Sequence, residues 1–362
     1  MGGEGPTPTD HRSRRAPVLG LGALALLVVG VGLAFAAVQG PHGAVAPAVS
    51  PTPSATIHPA PTPPTAGPVT GFGFGVADDP ASHRVVVFGG VDSSDKTWLW
   101  DGRQWTPTTP IISPPDRSGA SAAYDPATRE VMLFGGSGTS GQQLNDTWAW
   151  NGTTWRRLDS GGPRGPFEGE GAQMAWDAAR DEMLLVTSTG TLNDAETWTW
   201  DASQWVRQPD GNIAASVFGA FMEDDPVSRT VLLVSPVVSN QAQSVTFGWN
   251  GTTWHVLATK GPHINGIAVD PRAHGLVACG SMSYSPAFAV QARCWEWTGT
   301  SWLPMRASVP PTASRPVTIE DEVDDVDRAQ ILMMGWLASP LPGEPLPLRV
   351  WAWDGAAWKL LA

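Results

Sequence analysis

The ten residues Asp146 to Trp155 read DTWAWNGTTW, in which three tryptophans surround an Asn-Gly pair. Trp148 and Trp150 are two positions apart, so in a β-strand both side chains lie on one face. Asn151-Gly152 is typical of a type I′ turn, because both residues tolerate the positive φ that this turn requires. The stretch therefore predicts two antiparallel strands joined by a tight turn, with the second strand beginning near Trp155.

The same pattern occurs six times along the chain. Its copies are TWLWDGRQW (97–105), TWAWNGTTW (147–155), TWTWDASQW (197–205), TFGWNGTTW (246–254), CWEWTGTSW (294–302) and VWAWDGAAW (350–358). A repeat of about fifty residues that contains strands and turns is typical of propeller architectures. The chain therefore has to be read as six related units rather than as one motif with a function of its own.

A second shared element precedes each tryptophan cluster: a turn led by aspartate, followed by an apolar run rich in β-formers. The leading residues are Asp79, Asp125, Asp177, Asp225, Asp270 and Asp325. Acids in such short turns usually accept local backbone hydrogen bonds, which makes them turn residues before catalysts. Each repeat reads strand a, turn, strand b, variable loop, strand c, tight turn and strand d. The pattern predicts an all-β fold, a six-bladed β-propeller of four-stranded antiparallel blades, over residues 71–362.

The apolar runs VVVFGG (85–90) and VMLFGG (131–136), with the downstream Trp and Asp/Asn-Gly, resemble kelch-type propellers of the galactose-oxidase-like class. The resemblance covers the predicted propeller, although the double glycine is kept only in the first two repeats. It implies a fold that hosts many activities, so it does not name one. The radical-copper chemistry of galactose oxidase needs a Tyr-Cys pair with further Tyr and His ligands, and this chain has only Tyr124 and Tyr284. No cofactor is expected.

Seventeen of the tryptophans fall in the three repeated columns, and we expect them to pack between blades. They are Trp98, Trp100, Trp105, Trp148, Trp150, Trp155, Trp198, Trp200, Trp205, Trp249, Trp254, Trp295, Trp297, Trp302, Trp351, Trp353 and Trp358. A ligand site is normally present once or a few times in a protein, not in six copies. Sugar stacking is the functional alternative for these columns, and structural packing is the interpretation that we favour.

The N-terminal part of the chain predicts an anchor and a stalk. Residues 17–38 carry no charge and are long enough to cross a bilayer as a helix, and HRSRR precedes them. The positive-inside rule then places residues 1–16 in the cytoplasm and the propeller outside the cell membrane. The alternative is a cleaved signal peptide ending near Ala34-Phe35-Ala36, which would give a secreted protein. Residues 39–70 are rich in Pro, Ala and Thr, which predicts a disordered, extended stalk.

Composition excludes one class of partner. The formal net charge of the chain is -12, and charged residues make up only 15% of it. An acidic body of this kind repels nucleic acid, so nucleic-acid binding is not expected. The expected partners are the membrane, through the N-terminal helix, and a protein or glycan outside the cytoplasm.

Binding residues are expected on the variable b–c and d–a loops, which lie at the end of the propeller opposite the short turns. Eight residues in or near these loops are candidate ligand contacts: Arg117, Arg164, Arg315, His263, Phe167, Tyr284, Phe288 and Trp336. Three arginines just before inner strands favour a carboxylate-bearing ligand or an acidic partner. The alternative is that they are rim residues paired with nearby acids. Loop aromatics outside the repeated columns are better contact candidates than the columns themselves.

The run IEDEVDDVD (319–327) departs from the other inner strands. Alternation would direct some of Glu320, Asp321, Glu322 and Asp324 into the channel, where carboxylates could hold Ca²⁺. No metal-binding spacing supports this, so we favour solvated charge and predict no metal site. Cys279 ends strand b and Cys294 begins strand c of one blade, and outside the cell we expect them to form a disulfide.

No motif pairs a nucleophile with a base, and no catalytic residue is predicted. A binding propeller that recognises a protein or glycan is therefore the first hypothesis. A carbohydrate-active hydrolase, lyase or epimerase at the channel mouth is the second, and a passive surface protein is the third. Two carboxylates that converge in the channel, or His263 beside one, would favour the enzyme.

Overall fold

The computed structural model describes residues 67–68, 73–90, 96–159, 161–163, 172–189, 194–237, 240–280, 293–306, 317–337 and 348–361. The predicted cytoplasmic segment 1–16 and membrane anchor 17–38 lie outside these ranges, as does the stalk apart from residues 67–68. Within the described ranges, no helix has the length and apolar character needed to cross a membrane.

The first three blades are four-stranded antiparallel sheets. Blade 1 contains β1 (Phe74–Asp79), β2 (Arg84–Gly89), β3 (Thr97–Trp100) and β4 (Trp105–Thr108). Next come β5 (Arg117–Ser118), β6 (Ser121–Asp125), β7 (Glu130–Phe134), β8 (Ser137–Gly138), β9 (Thr147–Trp150) and β10 (Trp155–Asp159), of which β6, β7, β9 and β10 form blade 2 and β5 pairs with β8. Blade 3 contains β11 (Ala172–Asp177), β12 (Glu182–Ser188), β13 (Ala195–Trp200) and β14 (Trp205–Arg207).

The last three blades repeat this arrangement. Blade 4 contains β15 (Phe221–Asp225), β16 (Thr230–Val237), β17 (Asn240–Trp249) and β18 (Trp254–Pro262). Blade 5 contains β19 (Gly266–Asp270), β20 (Gly275–Gly280), β21 (Arg293–Trp297) and β22 (Trp302–Pro304). Blade 6 contains β23 (Val317–Asp325), β24 (Gln330–Leu337), β25 (Arg349–Trp353) and β26 (Trp358–Leu360), with a short 3-10 helix, η1 (Val326–Arg328), between its first two strands.

The first strand of each blade lies innermost, and the six inner strands form a closed ring. β1 contacts β6, β6 contacts β11, and the series continues through β15, β19 and β23 back to β1. Each blade is built from one continuous stretch of sequence. The prediction of an all-β, six-bladed propeller with four-stranded antiparallel blades is confirmed.

Blade 6 meets blade 1 through side chains and not through an exchanged strand. The Arg328 guanidinium donates to the backbone carbonyl of Asp101 at 2.5 Å. His83 Nδ1 lies 2.8 Å from a carboxylate oxygen of Asp327. The sequence does not predict how the ring closes, because all six repeats are complete and none is split between the two ends of the propeller. The structure shows that these side-chain contacts join the first and last blades.

The repeated tryptophans pack within and between blades. In every blade the last Trp of strand c lies against the Trp that begins strand d, as in the pair Trp150 and Trp155, whose ring centroids are 5.4 Å apart. Thirteen of the seventeen are buried and the other four, Trp98, Trp198, Trp200 and Trp254, are half-buried. Large aromatic areas are thereby removed from water at every blade interface.

A repeated hydrogen bond joins neighbouring blades. The indole of the strand-d Trp donates to a threonine in strand c of the preceding blade, three residues before the last aromatic residue of that strand. The pairs are Trp155–Thr97 (2.8 Å), Trp205–Thr147 (2.9 Å), Trp254–Thr197 (2.8 Å) and Trp302–Thr246 (2.9 Å). In the remaining two interfaces the threonine position holds Cys294 or Val350, so the partner indoles of Trp358 and Trp105 have no acceptor among the described residues.

The aspartates that begin the a–b turns are buried and accept local hydrogen bonds. Asp125 Oδ1 accepts the backbone N–H of Ala127 at 2.8 Å, and Asp270 Oδ1 accepts that of Arg272 at 2.9 Å. These contacts hold the turn closed, as the sequence predicts, and none of the six aspartates is free for chemistry in this arrangement.

Candidate functional site

The inner strands surround a channel with a cavity volume of about 580 Å³. This volume lies in the range of small-molecule sites. The lining includes seven carboxyl side chains: Asp78, Glu223, Asp224, Glu320, Asp321, Glu322 and Asp324. No lysine, arginine or histidine is among the described residues that line it. The channel therefore disfavours an anionic ligand and favours a neutral or cationic one.

Arg117 does not face this channel as a free cation. Its side chain is buried and donates to both carboxylate oxygens of Asp146, at 2.8 and 3.1 Å, and to the carbonyl of Gly135 at 2.9 Å. The pKa of Asp146 is lowered, because the hydrogen bonds and charge of Arg117 outweigh the effect of burial. Arg117 is thus paired with a nearby acid, which is the alternative that the sequence left open. The expectation that Arg117 binds a carboxylate-bearing ligand is wrong.

Two further candidates are placed by the structure. Trp336 lies in strand β24, not in a loop, and its half-buried ring packs against the core between blades 6 and 1. His263 follows β18, is only 7% exposed, and does not belong to the cavity lining. Burial lowers the pKa of His263, which favours its neutral form. The remaining candidates, Arg164, Arg315, Phe167, Tyr284 and Phe288, lie outside the described residues.

The acidic run of blade 6 is not solvated, contrary to the interpretation that we favoured from its sequence. A β-bulge between Ile319 and Asp321 interrupts the pairing of β23 with β24 and changes the alternation of side chains. Glu322 is 4% exposed, and Asp321 and Asp324 are half-buried in the channel lining. Burial raises the pKa of Asp324 to about 6 and the pKa of Asp321 and Glu322 well above their usual range.

Blade 4 contributes a second acidic group to the channel. Burial and then the charge of Asp324 raise the pKa of Glu223 well above its usual range. Burial also raises the pKa of Asp224 to about 6, with a further contribution from Asp177. Glu223 occupies the position held by Ala77, Ala123, Ala175, Ala268 and Val323 in the other blades. Blade 4 is the one blade with a carboxyl at this position, so the propeller fold does not require a carboxyl there.

The last channel position before each turn aspartate forms a ring of six residues, which we call the turn-end ring. Its members are Asp78, Tyr124, Trp176, Asp224, Val269 and Asp324, in blade order. Blades 1, 4 and 6 contribute carboxyls, whereas blades 2 and 3 contribute half-buried aromatic rings. Burial and then the charge of Asp324 raise the pKa of Asp78 to about 8. The sequence-based predictions did not include this ring. The signal that could have found it is the residue before each turn aspartate, which varies between repeats while the aspartate itself does not.

Glu322 lies beside the predicted disulfide, which the structure contains. Cys279 and Cys294 are bonded to each other and are cross-strand partners of β20 and β21. Glu322 Oε2 accepts the backbone N–H of Cys279 at 3.2 Å, and Oε1 has no hydrogen-bond partner within the described part of the chain. A buried carboxylate with so few donors is costly, which agrees with the raised pKa of Glu322.

The carboxyls do not form a compact metal site. Among the described residues, the one close group of three metal-ligating side chains is Cys279, Cys294 and Glu322, whose ligand atoms lie within 4.8 Å of one another. The two sulfurs are bonded to each other and cannot act as thiolate ligands. The other channel carboxyls are too dispersed for three of them to contact one ion.

Comparison with known proteins gives a likeness of fold. No protein-family model matches the sequence, and no curated protein matches it. A solved structure described as that of YjhT is 12% identical, with a TM-score of 0.51 over 82% of this chain and 99% of that one. A mutant of the Aleuria aurantia lectin in complex with alpha-methyl-L-fucoside is 14% identical, with a TM-score of 0.52 over 83% of this chain and 96% of that one. At these identities the chain shares a β-propeller fold with both structures, and the likeness extends no further.

Proposed function

We propose that this protein is a binding propeller that recognises a glycan or a protein through its variable b–c and d–a loops and the adjoining channel mouth. The observation that carries the proposal is the closed ring of six blades around a cavity lined by seven carboxyl side chains, because the connections between strands b and c and between blades leave such a ring at the end opposite the a–b turns. Binding residues concentrate on such loops because a rigid scaffold positions them at little entropic cost.

A glycan is the ligand that the channel chemistry favours. Carboxyl groups accept hydrogen bonds from sugar hydroxyls, and seven carboxyl side chains line the channel. A lectin with a bound fucoside is among the similar folds, which is consistent with this proposal. We further propose that the propeller is kelch-type and galactose-oxidase-like, on the strength of VVVFGG and VMLFGG.

The cellular setting is also part of the proposal. An uncharged segment at residues 17–38 behind a basic N-terminus supports a single-pass anchor with the propeller outside the cytoplasm. The disulfide between Cys279 and Cys294 supports an oxidising compartment. Protease protection of the propeller in intact cells would contradict this orientation.

A glycan array probed with the detergent-solubilised full-length protein tests the binding proposal. We expect a small set of neutral glycans to be retained, and we expect Arg164→Ala or Arg315→Ala, the two loop arginines still unassigned, to change retention. Lys359→Ala provides a control, because Lys359 is an exposed residue of strand β26, paired with Asp354. An array without specific retention, together with a pull-down without a specific partner, would overturn the proposal.

The enzyme alternative rests on one specific observation. Glu223 and Asp324 both line the channel, burial raises the pKa of each, and the charge of Asp324 adds to the shift of Glu223. Such a pair is suited to general acid–base chemistry on a glycosidic bond. Turnover of any aryl glycoside in a panel, abolished by Glu223→Gln and retained in Glu296→Gln, would support it. Absence of turnover across the panel would remove it.

A further inference from the structure

Two departures from the blade repeat meet at the interface between blades 5 and 6. At the third position before the turn aspartate, blade 6 carries Glu322, whereas the other five blades carry an apolar residue. Those residues are Val76, Ala122, Met174, Met222 and Ile267. In blade 5, Cys279 stands where the other blades have an apolar residue, and Cys294 stands where four of them have threonine. The blade fold therefore requires neither this carboxyl nor these cysteines.

The three side chains form one compact cluster at the loop-side end of the interface. The Sγ atoms of Cys279 and Cys294 and a carboxylate oxygen of Glu322 all lie within 4.8 Å of one another. The backbone of blade 5 permits this approach, because Gly266 is the register partner of Cys279 and a Cβ at Gly266 would lie 2.7 Å from Glu322 Cγ. Strands from two blades are thus packed closely enough to bring the carboxyl against both sulfurs.

The disulfide leaves Glu322 poorly compensated. Glu322 is 4% exposed, and Cys279 and Cys294 are also buried. Its Oε2 accepts the backbone N–H of Cys279 at 3.2 Å, whereas its Oε1 has no partner in the described part of the chain. Removal of a carboxyl group from water is costly unless donors or a positive charge replace the water. A disulfide provides neither, but a metal ion held between the sulfurs and this carboxyl would.

We propose that reduction of the disulfide converts this cluster into a Zn²⁺ site, with Cys279 and Cys294 as thiolate ligands and Glu322 as the carboxylate ligand. Zn²⁺ takes these ligand types, and its bonds of about 2.0–2.3 Å hold tetrahedral ligands about 3.5–4 Å apart. The cluster already lies within 4.8 Å, so small shifts of side chains complete the set. The remaining tetrahedral position takes water. Glu322 also lines the cavity, which gives the ion a path to the site.

The exchange of disulfide for metal balances in electrons and protons. A dithiol reductant gives two electrons and two protons to the S–S bond and itself becomes a disulfide. Zn²⁺ then forms two S–Zn bonds and displaces both thiol protons to solvent. Oxidation of the two thiolates forms the S–S bond again and releases the ion. Disulfide and metal are therefore alternative states of one site, which is separate from the ligand binding proposed for the variable loops.

Titration of the full-length protein with Zn²⁺, after reduction by a phosphine without oxygen, tests this inference. We expect the reduced protein to bind one Zn²⁺ and the oxidised protein to bind it about a hundredfold or more weakly, because both thiolate ligands are lost. Co²⁺ in the same site should give the charge-transfer absorption of thiolate-bound cobalt. Ca²⁺, which prefers oxygen ligands, should not compete. Zn²⁺ should also raise the Tm of the reduced protein, because it binds the folded state.

Variants separate this site from binding to thiols or carboxyls elsewhere. Glu322→Gln keeps the shape of the side chain and removes the ligand, so it should weaken Zn²⁺ binding by about tenfold or more. Cys279→Val with Cys294→Val should abolish binding. Glu296→Gln removes an exposed carboxyl from the same strand as Cys294 and should leave affinity unchanged.

Four results would each overturn the proposal. The first is equal Zn²⁺ affinity of the oxidised and reduced protein, which would indicate carboxyls elsewhere on the acidic body. The second is unchanged affinity in Glu322→Gln, which would indicate binding to the thiols alone. The third is absence of binding by reduced protein whose tryptophan fluorescence shows that it is folded. The fourth is unfolding on reduction that Zn²⁺ does not reverse.

Discussion

At the scale of single residues, the hydrogen bond between neighbouring blades depends on a threonine as well as on the repeated tryptophans. Thr147 Oγ1 accepts the indole N–H of Trp205 from the next blade at 2.9 Å, and both side chains are buried. The tryptophans attract attention because they are rare and large. The threonine supplies the acceptor without which the indole N–H would be buried unpaired.

Thr147→Val should therefore destabilise the protein by about 1–3 kcal/mol, the usual cost of a buried donor left without its partner. Val350→Thr is the reciprocal change, because it places an acceptor where the indole of Trp105 has none among the described residues. We expect that variant to be neutral or stabilising in chemical denaturation. An equal loss of stability in both variants would show that the hydrogen bond is irrelevant and that only shape matters.

Buried channel carboxyls predict a specific dependence of stability on pH. The pKa of Asp78 is raised to about 8, whereas an unfolded aspartate has a pKa of about 4. Between these values the folded state holds the proton and the unfolded state does not, so stability falls as pH rises from about 4 to about 8. Asp224 and Asp324 contribute in the same direction between about 4 and about 6.

Asp78→Asn should make the upper part of this profile less steep, with the remaining slope due to Glu223, Asp321 and Glu322, and raise Tm at pH 8 by several degrees relative to the wild type. Asp354→Asn is the control. Hydrogen bonds led by that from Lys359 lower the pKa of Asp354 to about 2, so Asp354 stays ionised in both states across this range. Thermal unfolding at pH 5, 6, 7 and 8 measures the effect. A wild-type Tm that increases from pH 5 to pH 8 would contradict the assignment.

At the scale of elements, blade 5 replaces the repeated hydrogen bond with a covalent bond. Cys294 stands at the position of the acceptor threonine, and its partner Cys279 stands where blades 3 and 4 have Val186 and Val234. The disulfide joins the end of β20 to the start of β21, the two central strands of the blade, which the b–c loop connects. Cross-linking of this loop restricts the unfolded chain.

Reduction should destabilise the protein by about 3 kcal/mol, the cost typical of a closed loop of this size. The double variant Cys279→Val with Cys294→Val should lose a similar amount. Cys279→Val with Cys294→Thr should recover part of it, because Trp358 then gains the acceptor that the other blades provide. Chemical denaturation with and without reductant gives the comparison, and identical stability of the two double variants would contradict the role of the acceptor.

At the scale of the whole molecule, the interface between blades 6 and 1 shares one arginine contact with the interface between blades 3 and 4. Arg328 pairs with Asp325 at 3.0 Å and lies against Gly102 in the c–d turn of blade 1. Arg180 pairs with Asp177 at 2.7 Å and lies against Gly251 in the c–d turn of blade 4. The ring therefore closes in part through a contact that also joins blades 3 and 4.

Arg328→Ala and Arg180→Ala should then cost similar amounts, about 1 kcal/mol each, since both pairs are partly exposed. Chemical denaturation followed by tryptophan fluorescence measures the two variants under the same conditions. Unfolding of Arg328→Ala should remain a single transition. A markedly larger loss in Arg328→Ala, or a first transition in which blades 1 and 6 separate, would show that closure is a distinct seam.

The repeats predicted the six blades, the strand order and the tight turns, because all of these follow from local periodicity and turn chemistry. They also predicted the pairing of Cys279 with Cys294, which are register partners within one sheet. The predictions that Arg117 and Trp336 contact a ligand from the loops were wrong, and one physical reason explains both. Whether a polar or aromatic side chain near a strand end faces a channel or a neighbouring strand depends on contacts between segments distant in sequence.

What the sequence determined by itself is the blade: its strands alternate, its turns carry the required residues, and its tryptophans repeat, all within about fifty residues. The tertiary structure alone decided the character of the channel. Side chains from six separate repeats meet there, and a β-bulge in β23 redirects the acidic run into a buried position. Carboxyls that would be solvated on an isolated strand thereby lose water and face one another across a cavity, which changes both their charge and the ligands that they can accept.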